Sequence, residues 1–480
     1  MTELHFPWIE SCLTVLLIGA VWVSRLGSAD AARRWSMFFT GVALALMTGL
    51  YFDFRYLSVW QAHDAFDFLQ QAFGNGFFAI DDFSAPLLPL TALLFLLTTI
   101  ATLRTKIRRF SFALTLLSEA IVLATFICEE GWGIILLLAL GTIPPYLELR
   151  TREKPTRVYV IHMAAFVAMM AIGYGVGEGE GHQALHSLFA VIPMLLAIFI
   201  RSGIAPFHCW MTDLFENASF GTALLFVTPL TGAYAAVRLV LPIAPDWVLH
   251  SIGLLSLITA VYAAGMALVQ KEARRFFCYI FLSHSALVLV GMETATQLGL
   301  TGALCVWLSV GLALSGFGLT LRALESRHGR LSLTSFRGLY EHTPALAICF
   351  LLTGLASVGF PGTFGFIGME MLVDAAVHTY PSIGIAVVIA AALNGIAVVK
   401  AYFLLFTGTR HASPVSLRIG NRERFAVLTL ATLILCGGLF PQYSVASRHA
   451  AAAHLLSQRD SALTTVESPS SSADRLPKHE

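Results

Sequence analysis

The sequence predicts an all-α polytopic membrane protein of about fourteen transmembrane helices, two of them broken. Three observations predict it. First, 57% of the 480 residues are apolar and only 12% charged, with a mean hydropathy of +0.75, whereas soluble domains carry roughly 25% charge. Second, apolar runs long enough to span the hydrocarbon core recur almost to the end of the chain. Third, two of those runs are interrupted by Gly and Pro. Such breaks free backbone carbonyls that a bilayer tolerates only where protein or a water-filled cavity receives them.

In order, the runs are 8–24, 35–51, 83–103, 110–128, 132–149, 158–175, 185–215 (broken), 219–241, 247–270, 275–292, 298–321, 343–377 (broken), 383–407 and 424–440. The first follows an acidic N-terminus without a small-residue cleavage site, so it reads as a retained helix. Basic residues collect in alternate loops. Arg25, Arg33 and Arg34 follow the first run, Arg104 to Arg109 the third and Arg150 to Arg157 the fifth. Lys271 to Arg275 follow the ninth, Arg322 to Arg337 the eleventh and Arg410 to Arg424 the thirteenth. Loops of the other parity carry acid: Asp64, Asp67, Asp81 and Asp82, then Glu129 and Glu130, then Glu178 and Glu180. Positive residues mark the cytoplasmic side, so both termini are expected outside the cytoplasm of a cell membrane.

After Pro441 the chain turns polar. Residues 446–480 read as a disordered tail, because Ser457 to Glu480 offers too little apolar surface to order itself. The seven cysteines stand singly and no Cys/His cluster occurs, so no metal, cofactor or disulfide framework is expected. A net charge of +1 with basic residues spread over short loops excludes nucleic acid as a partner. Nor is there a catalytic triad, a phosphate loop or any catalytic residue: Glu129-Glu130 read as a solvated loop, and the Gly175–Gly181 run lacks the strand of a nucleotide site.

The stretch Arg201-Ser-Gly-Ile-Ala-Pro-Phe-His-Cys-Trp-Met-Thr-Asp213 places a permanent charge beside a helix break at Gly203 and Pro206. Pro361 and Gly362 interrupt the twelfth run, about five spans later and therefore in the opposite direction. Paired interruptions at corresponding places in two halves mark an inverted repeat with a site near the midplane. Two unrelated kinks, and an arginine snorkelling to the headgroups, are the structural alternative.

Phe207-His-Cys-Trp210 with Asp213, Gln270-Lys-Glu-Ala-Arg-Arg275 with Tyr279 and Ser283-His-Ser285, Arg337-Gly-Leu339, and Gly359-Phe-Pro-Gly362 with Gly365-Phe366 resemble the antiporter-like membrane subunits of respiratory complex I and the Mrp cation/proton antiporters. The similarity covers roughly residues 75 to 445. Around Pro229, Gly232 to Arg238 and Leu393-Asn394 it is nearer complex I subunits M and N than subunit L. The membrane subunit of the DabA–DabB inorganic-carbon system is a related alternative. The resemblance implies inverted five-helix repeats, a proton half-channel in each, and other membrane subunits, protons or monovalent cations as partners. It divides the chain into residues 1–82 (helices one and two and an outer loop), an antiporter-like core over 83–445 and the tail. Any enzymatic role would be as one subunit of an NADH:quinone oxidoreductase.

The chain departs from that family where protons would move. Ala139 stands where a Glu is usual, Arg201 where a Lys is usual, Leu230 for a Lys or His, Val310 for a His, and Met369 for a Lys or Glu. A buried Lys can release its proton, whereas a guanidinium stays protonated, so Arg201 is a poor relay station. The relay candidates that remain are Arg201, Glu119, His284, Glu370 and Lys400. Glu119 lies about nine residues into its span, roughly 13 Å deep, where a carboxylate must be paired or neutral; it is the acid whose depth matches Arg201, and the two are expected to pair. His284 has similar depth. Glu370 is rotated about 100° from the site at Met369, and Lys400 reaches the cytoplasmic headgroups. Two functions follow: a subunit moving protons or cations with a reduced relay, or a scaffold docking a soluble catalytic partner, as in the inorganic-carbon system.

Overall fold

The computed structural model describes residues 2–64, 77–103, 110–181, 187–408 and 420–467, with the side chains of 462–467 left aside. The basic loop 104–109, Asp67, Arg410, Arg418 and the last thirteen residues (468–480) lie outside them. Every one of the fourteen apolar runs holds helix, because apolar side chains leave the backbone to satisfy its own hydrogen bonds. The helices are α1 Trp8–Ser24, α2 Ala29–Leu57, α3 Leu87–Ile100, α4 Phe112–Ile127, α5 Gly131–Gly141, α6 Ile143–Thr151, α7 Arg157–Glu180, α8 Leu188–Ser202, α9 Cys209–Asn217, α10 Phe220–Val227 and α11 Thr231–Ala235. A π-helical turn Ala236–Val240 follows, then α12 Asp246–Val269, α13 Ala273–Glu293, α14 Gln297–His328, α15 Pro344–Val358, α16 Phe364–Thr379, α17 Pro381–Phe406, α18 Asn421–Leu439 and α19 Gln442–Glu467. Among the described residues eight helices, or nine if one bent pair counts as a single span, are long and apolar enough to cross a membrane. Helices α13 and α14 are enclosed by the others, with nearly every residue of α13 buried.

The ends of the bundle carry the charge. At one end Arg274 pairs with Glu325 (2.5 Å), Arg327 with Glu423 (2.5 Å), Arg275 with Glu216 (2.6 Å) and Arg152 with Glu148 (3.2 Å). At the other, a small sheet joins β1 Thr2–Glu3, β2 Gln61–His63 and β3 Ile80–Asp81, and Asp81 meets Arg238 (2.8 Å).

The expected disordered tail is corrected as far as Glu467. Helix α19 turns by 78° from α18 and packs along the bundle. Arg448 is 1% exposed and donates to the carbonyls of Phe83 (2.9 Å) and Asp82; Arg459 donates to Asp246 (2.5 Å). Between them Ala451 and Ala452 are buried, small enough for close approach. Order here comes from arginines satisfying loop carbonyls, which apolar composition does not register.

Candidate functional site at the helix breaks

Helix α8 ends in a left-handed Gly203 (φ 72°), with the Gly203 N–H donating to Ile200 O (3.2 Å) and the Ile204 N–H to Phe199 O (2.9 Å). Helix α15 ends in a left-handed Gly359 (φ 87°), with Gly359 N–H to Ala356 O (3.2 Å) and Phe360 N–H to Leu355 O (3.1 Å). Both are Schellman turns, in which a residue without Cβ lets two N–H groups fold back onto carbonyls the helix leaves free. Pro206 follows the first turn; Pro361 and a second left-handed glycine, Gly362 (φ 86°), follow the other.

A third break lies between α10 and α11. Pro229 has no N–H, Leu230 is left-handed (φ 54°), and its N–H bonds to Val227 O (3.1 Å), so Phe226 O has no helical donor. Arg201, at the end of α8 and 5% exposed, takes it up: Nη2 donates to Phe226 O (3.4 Å) and to Thr231 Oγ1 (2.6 Å). The guanidinium lies 4.2 Å from the Phe226 ring and 5.7 Å from that of Trp210, whose Nε1 donates to Ile200 O (2.7 Å). A Cβ on Gly232 would come within 2.6 Å of Ser202 Oγ and 3.1 Å of Ser202 N, so glycine lets the two breaks cross.

With this geometry the comparisons agree. The family model described as NADH:quinone oxidoreductase/Mrp antiporter, transmembrane, matches residues 158–394, from α7 into α17. The NAD(P)H-quinone oxidoreductase chain 4 1 of Synechococcus sp. (strain JA-3-3Ab) is 28% identical over 96% of this chain and 95% of its own. Over residues 158–394 the chain resembles the NADH:quinone oxidoreductase/Mrp antiporter family. Its fold matches a chain in respiratory complex I from Thermus thermophilus (TM-score 0.80, 21% identity, 94% of this chain and 99% of that one). It matches equally a chain of the Mrp complex from Dietzia sp. DQ12-45-1b (TM-score 0.80, 19% identity, 95% and 99%).

The expected Arg201–Glu119 pair does not form. Glu119 is fully buried, but neither carboxyl oxygen has a hydrogen-bond partner among the described residues; α4 packs on α1, with Cys12 close to the carboxyl. Equal depth fixed the height of the two groups and left the rotation of α4 open. Glu148 lies among polar groups near the loop arginines, accepting from Ser219 N (2.7 Å), Thr222 Oγ1 and Arg152 (3.2 Å).

His284 faces the second break. It is 1% exposed, its Nδ1 lies 2.8 Å from Ile280 O, and the ring lies near the Ser357 backbone, two residues before Gly359. Beside it Ser283 donates to Ala260 O (2.8 Å) and accepts from Asn394 Nδ2 (2.7 Å), linking α12, α13 and α17. Farther along the same interior, Thr259 Oγ1 accepts the Ala205 N–H (3.0 Å). Sequence reasoning named His284 but missed Thr231, Thr259 and the Ser283–Asn394 link, since hydroxyls and amides in apolar runs carry no distinctive spacing. The break at Pro229 was legible in Thr228-Pro229 but hidden by the apolar run around it.

The remaining candidates lie away from the interior. Met369 is buried against Gly359, whereas Glu370 is exposed beside it and lines a surface crevice with Asp374. Lys400 is exposed and donates to Leu268 O (2.9 Å), near the end of α12. Leu230 and Val310 are buried and apolar. Glu129 is more than a solvated loop residue: Gln61 Nε2 donates to it, and burial pushes its carboxyl up to about 7 against the opposing pull of Arg238.

Proposed function

We propose that this chain is a membrane subunit of a complex I-like or Mrp-like ion-translocating assembly, working with other membrane subunits and taking part in proton or cation movement through a reduced relay. His284 is the relay group and Arg201 a fixed cation that orients the hydroxyls and carbonyls around it. The observation that carries the reading is the position of His284, buried on an unbroken helix with its ring near the backbone just before the second break. A histidine is the side chain whose proton exchanges in the physiological range. Replacing it with alanine in the assembled complex should abolish ion flux while assembly persists. Unchanged flux in an intact complex would transfer the role to the second reading, a scaffold that docks a soluble catalytic partner.

That second reading draws on a specific observation: Ala139, Leu230, Val310 and Met369 leave Arg201 without a carboxylate partner among the described residues, so a chain of exchanging charges is interrupted. In either case both termini lie outside the cytoplasm, supported by the alternation of basic loops. Cysteine labels introduced at Ser111 and Glu178 should then react from opposite sides of the membrane, and labelling from one side would end that topology.

A further inference from the structure

We propose that the crossing of the first and third breaks is a binding site for a small inorganic anion of halide size, held by Arg201, Ser202 and Thr231. This goes beyond the translocation reading and does not depend on it. The motivation is a charge without a counter-charge. Arg238, Arg274, Arg327 and Arg459 each meet a carboxylate within 2.8 Å. Arg322 and Arg448 have no such direct pair but lie in the field of acids, Glu423, Glu148 and Glu325 for the first and Asp82 and Asp81 for the second. Among the described residues, the ionisable side chain near enough to Arg201 to interact is Tyr159, a neutral phenol.

What surrounds the guanidinium is neutral: one hydroxyl, one carbonyl and two aromatic rings. Those groups solvate a cation but do not cancel it, and an unpaired charge at this burial is strongly unfavourable. Donors are also left over. Arg201 Nε and Ser202 Oγ have no partner among the described residues, and Thr231, which accepts from Arg201, still has its own hydroxyl hydrogen to give.

Space exists next to them. A cavity of about 20 Å³ is lined by Arg201, Ser202, Thr231, Gly232 and Ser285. That is room for one or two water-sized spheres, enough for a monatomic anion. Glycine at 232 keeps the opposite wall at backbone distance, where any side chain would fill the space. A cation is excluded by the fixed guanidinium, and a neutral occupant would leave the charge uncancelled.

The test uses the full chain in its membrane assembly, with chloride and bromide as probes. Thermal unfolding is followed as chloride replaces gluconate at constant ionic strength. A saturable rise in stability is expected, and chloride at tenfold excess over its dissociation constant multiplies the folded-to-unfolded ratio by about 11. Arg201→Gln should remove that response and Arg201→Lys should retain a weakened one. If the glutamine variant does not assemble, bromide localised by anomalous scattering in the unaltered protein decides: a site against the Arg201 guanidinium supports the proposal. Identical curves in chloride and gluconate, a chloride response that survives Arg201→Gln, or bromide found only elsewhere would overturn it, whatever the flux measurements on His284 show.

Discussion

At Gly203 and at Gly359 the chain makes the same Schellman turn, but the surroundings differ. The first turn is crossed by the Pro229 break, and between the two sits a permanent cation holding Phe226 O and Thr231. The second has no crossing break. Its counterpart helix five spans after α10 and α11, α17, runs unbroken from Pro381 to Phe406, and what reaches the centre there is a histidine, Ser309 and the amide of Asn394. The comparison teaches where charge is tolerated in this bundle: at the interior the guanidinium stands where a second backbone interruption exposes a carbonyl to receive it. At the second break the polar side chains brought to the centre are neutral or exchangeable: His284, Ser309 and Asn394.

The largest expected effect tests how tightly each break is clamped. An added methyl at Gly365 would fall 2.4 Å from Ala356 O and 2.6 Å from Ser309 Oγ, and the backbone carbonyl cannot swing away. At Gly232 the nearest atom is the rotatable Ser202 hydroxyl, with backbone no closer than 3.1 Å. Gly365→Ala should therefore cost about 3 kcal/mol, the upper part of the overpacking range, and Gly232→Ala about 1 kcal/mol. Chemical unfolding of the two variants in the same detergent measures the difference. The reverse order would show that the first break is the rigid one.

A smaller effect separates Arg201 from Glu119. Had they formed a buried pair, losing either would cost about 3–5 kcal/mol and the double variant would recover much of it. With no contact between them, Glu119→Gln should change stability by less than about 1 kcal/mol. The double variant with Arg201→Gln should show the sum of the single effects within about 0.5 kcal/mol. A double-mutant cycle with a coupling above 1 kcal/mol would restore the pair.

Both breaks were legible in the sequence because Gly and Pro act through their own backbones. The partner of Arg201 was not: Phe226 O becomes available because the N–H four residues later, on left-handed Leu230, turns to Val227 O, and nothing in the identity of Phe226 announces it. Glu119 was misplaced for a related reason, since a helical position fixes depth along the axis while the neighbouring helix, here α1, selects the face. Order in α19 escaped composition because it rests on Arg448 and Arg459 reaching loop carbonyls and Asp246.

A last effect concerns the outer end of the first half, where a titrating acid stands apart from its break. Glu129 is buried beside Gln61, with Arg238 and Asp81 nearby, and its carboxyl is raised from 4.5 to about 7. Because the folded state holds the proton more tightly than the unfolded chain, the protonated form is favoured by folding, and stability falls as pH rises from about 4.5 to about 7, then levels. Discounted for its partial exposure, the loss is roughly 1–2 kcal/mol. Asp81 titrates beneath that window, held below its ordinary 3.8 because Arg238 and Ser84 outweigh its burial, so it does not mask the slope. Asp82 is raised by burial and contributes in the same direction, which is why the variant matters more than the absolute curve. Unfolding midpoints of the unaltered protein and of Glu129→Gln, measured from pH 4.5 to 8, should converge at low pH, part between about pH 4.5 and 7 and keep a constant gap above, with the glutamine variant the more stable. Parallel curves would mean that Glu129 is ionised throughout, and that the first half keeps no exchangeable proton at its outer end.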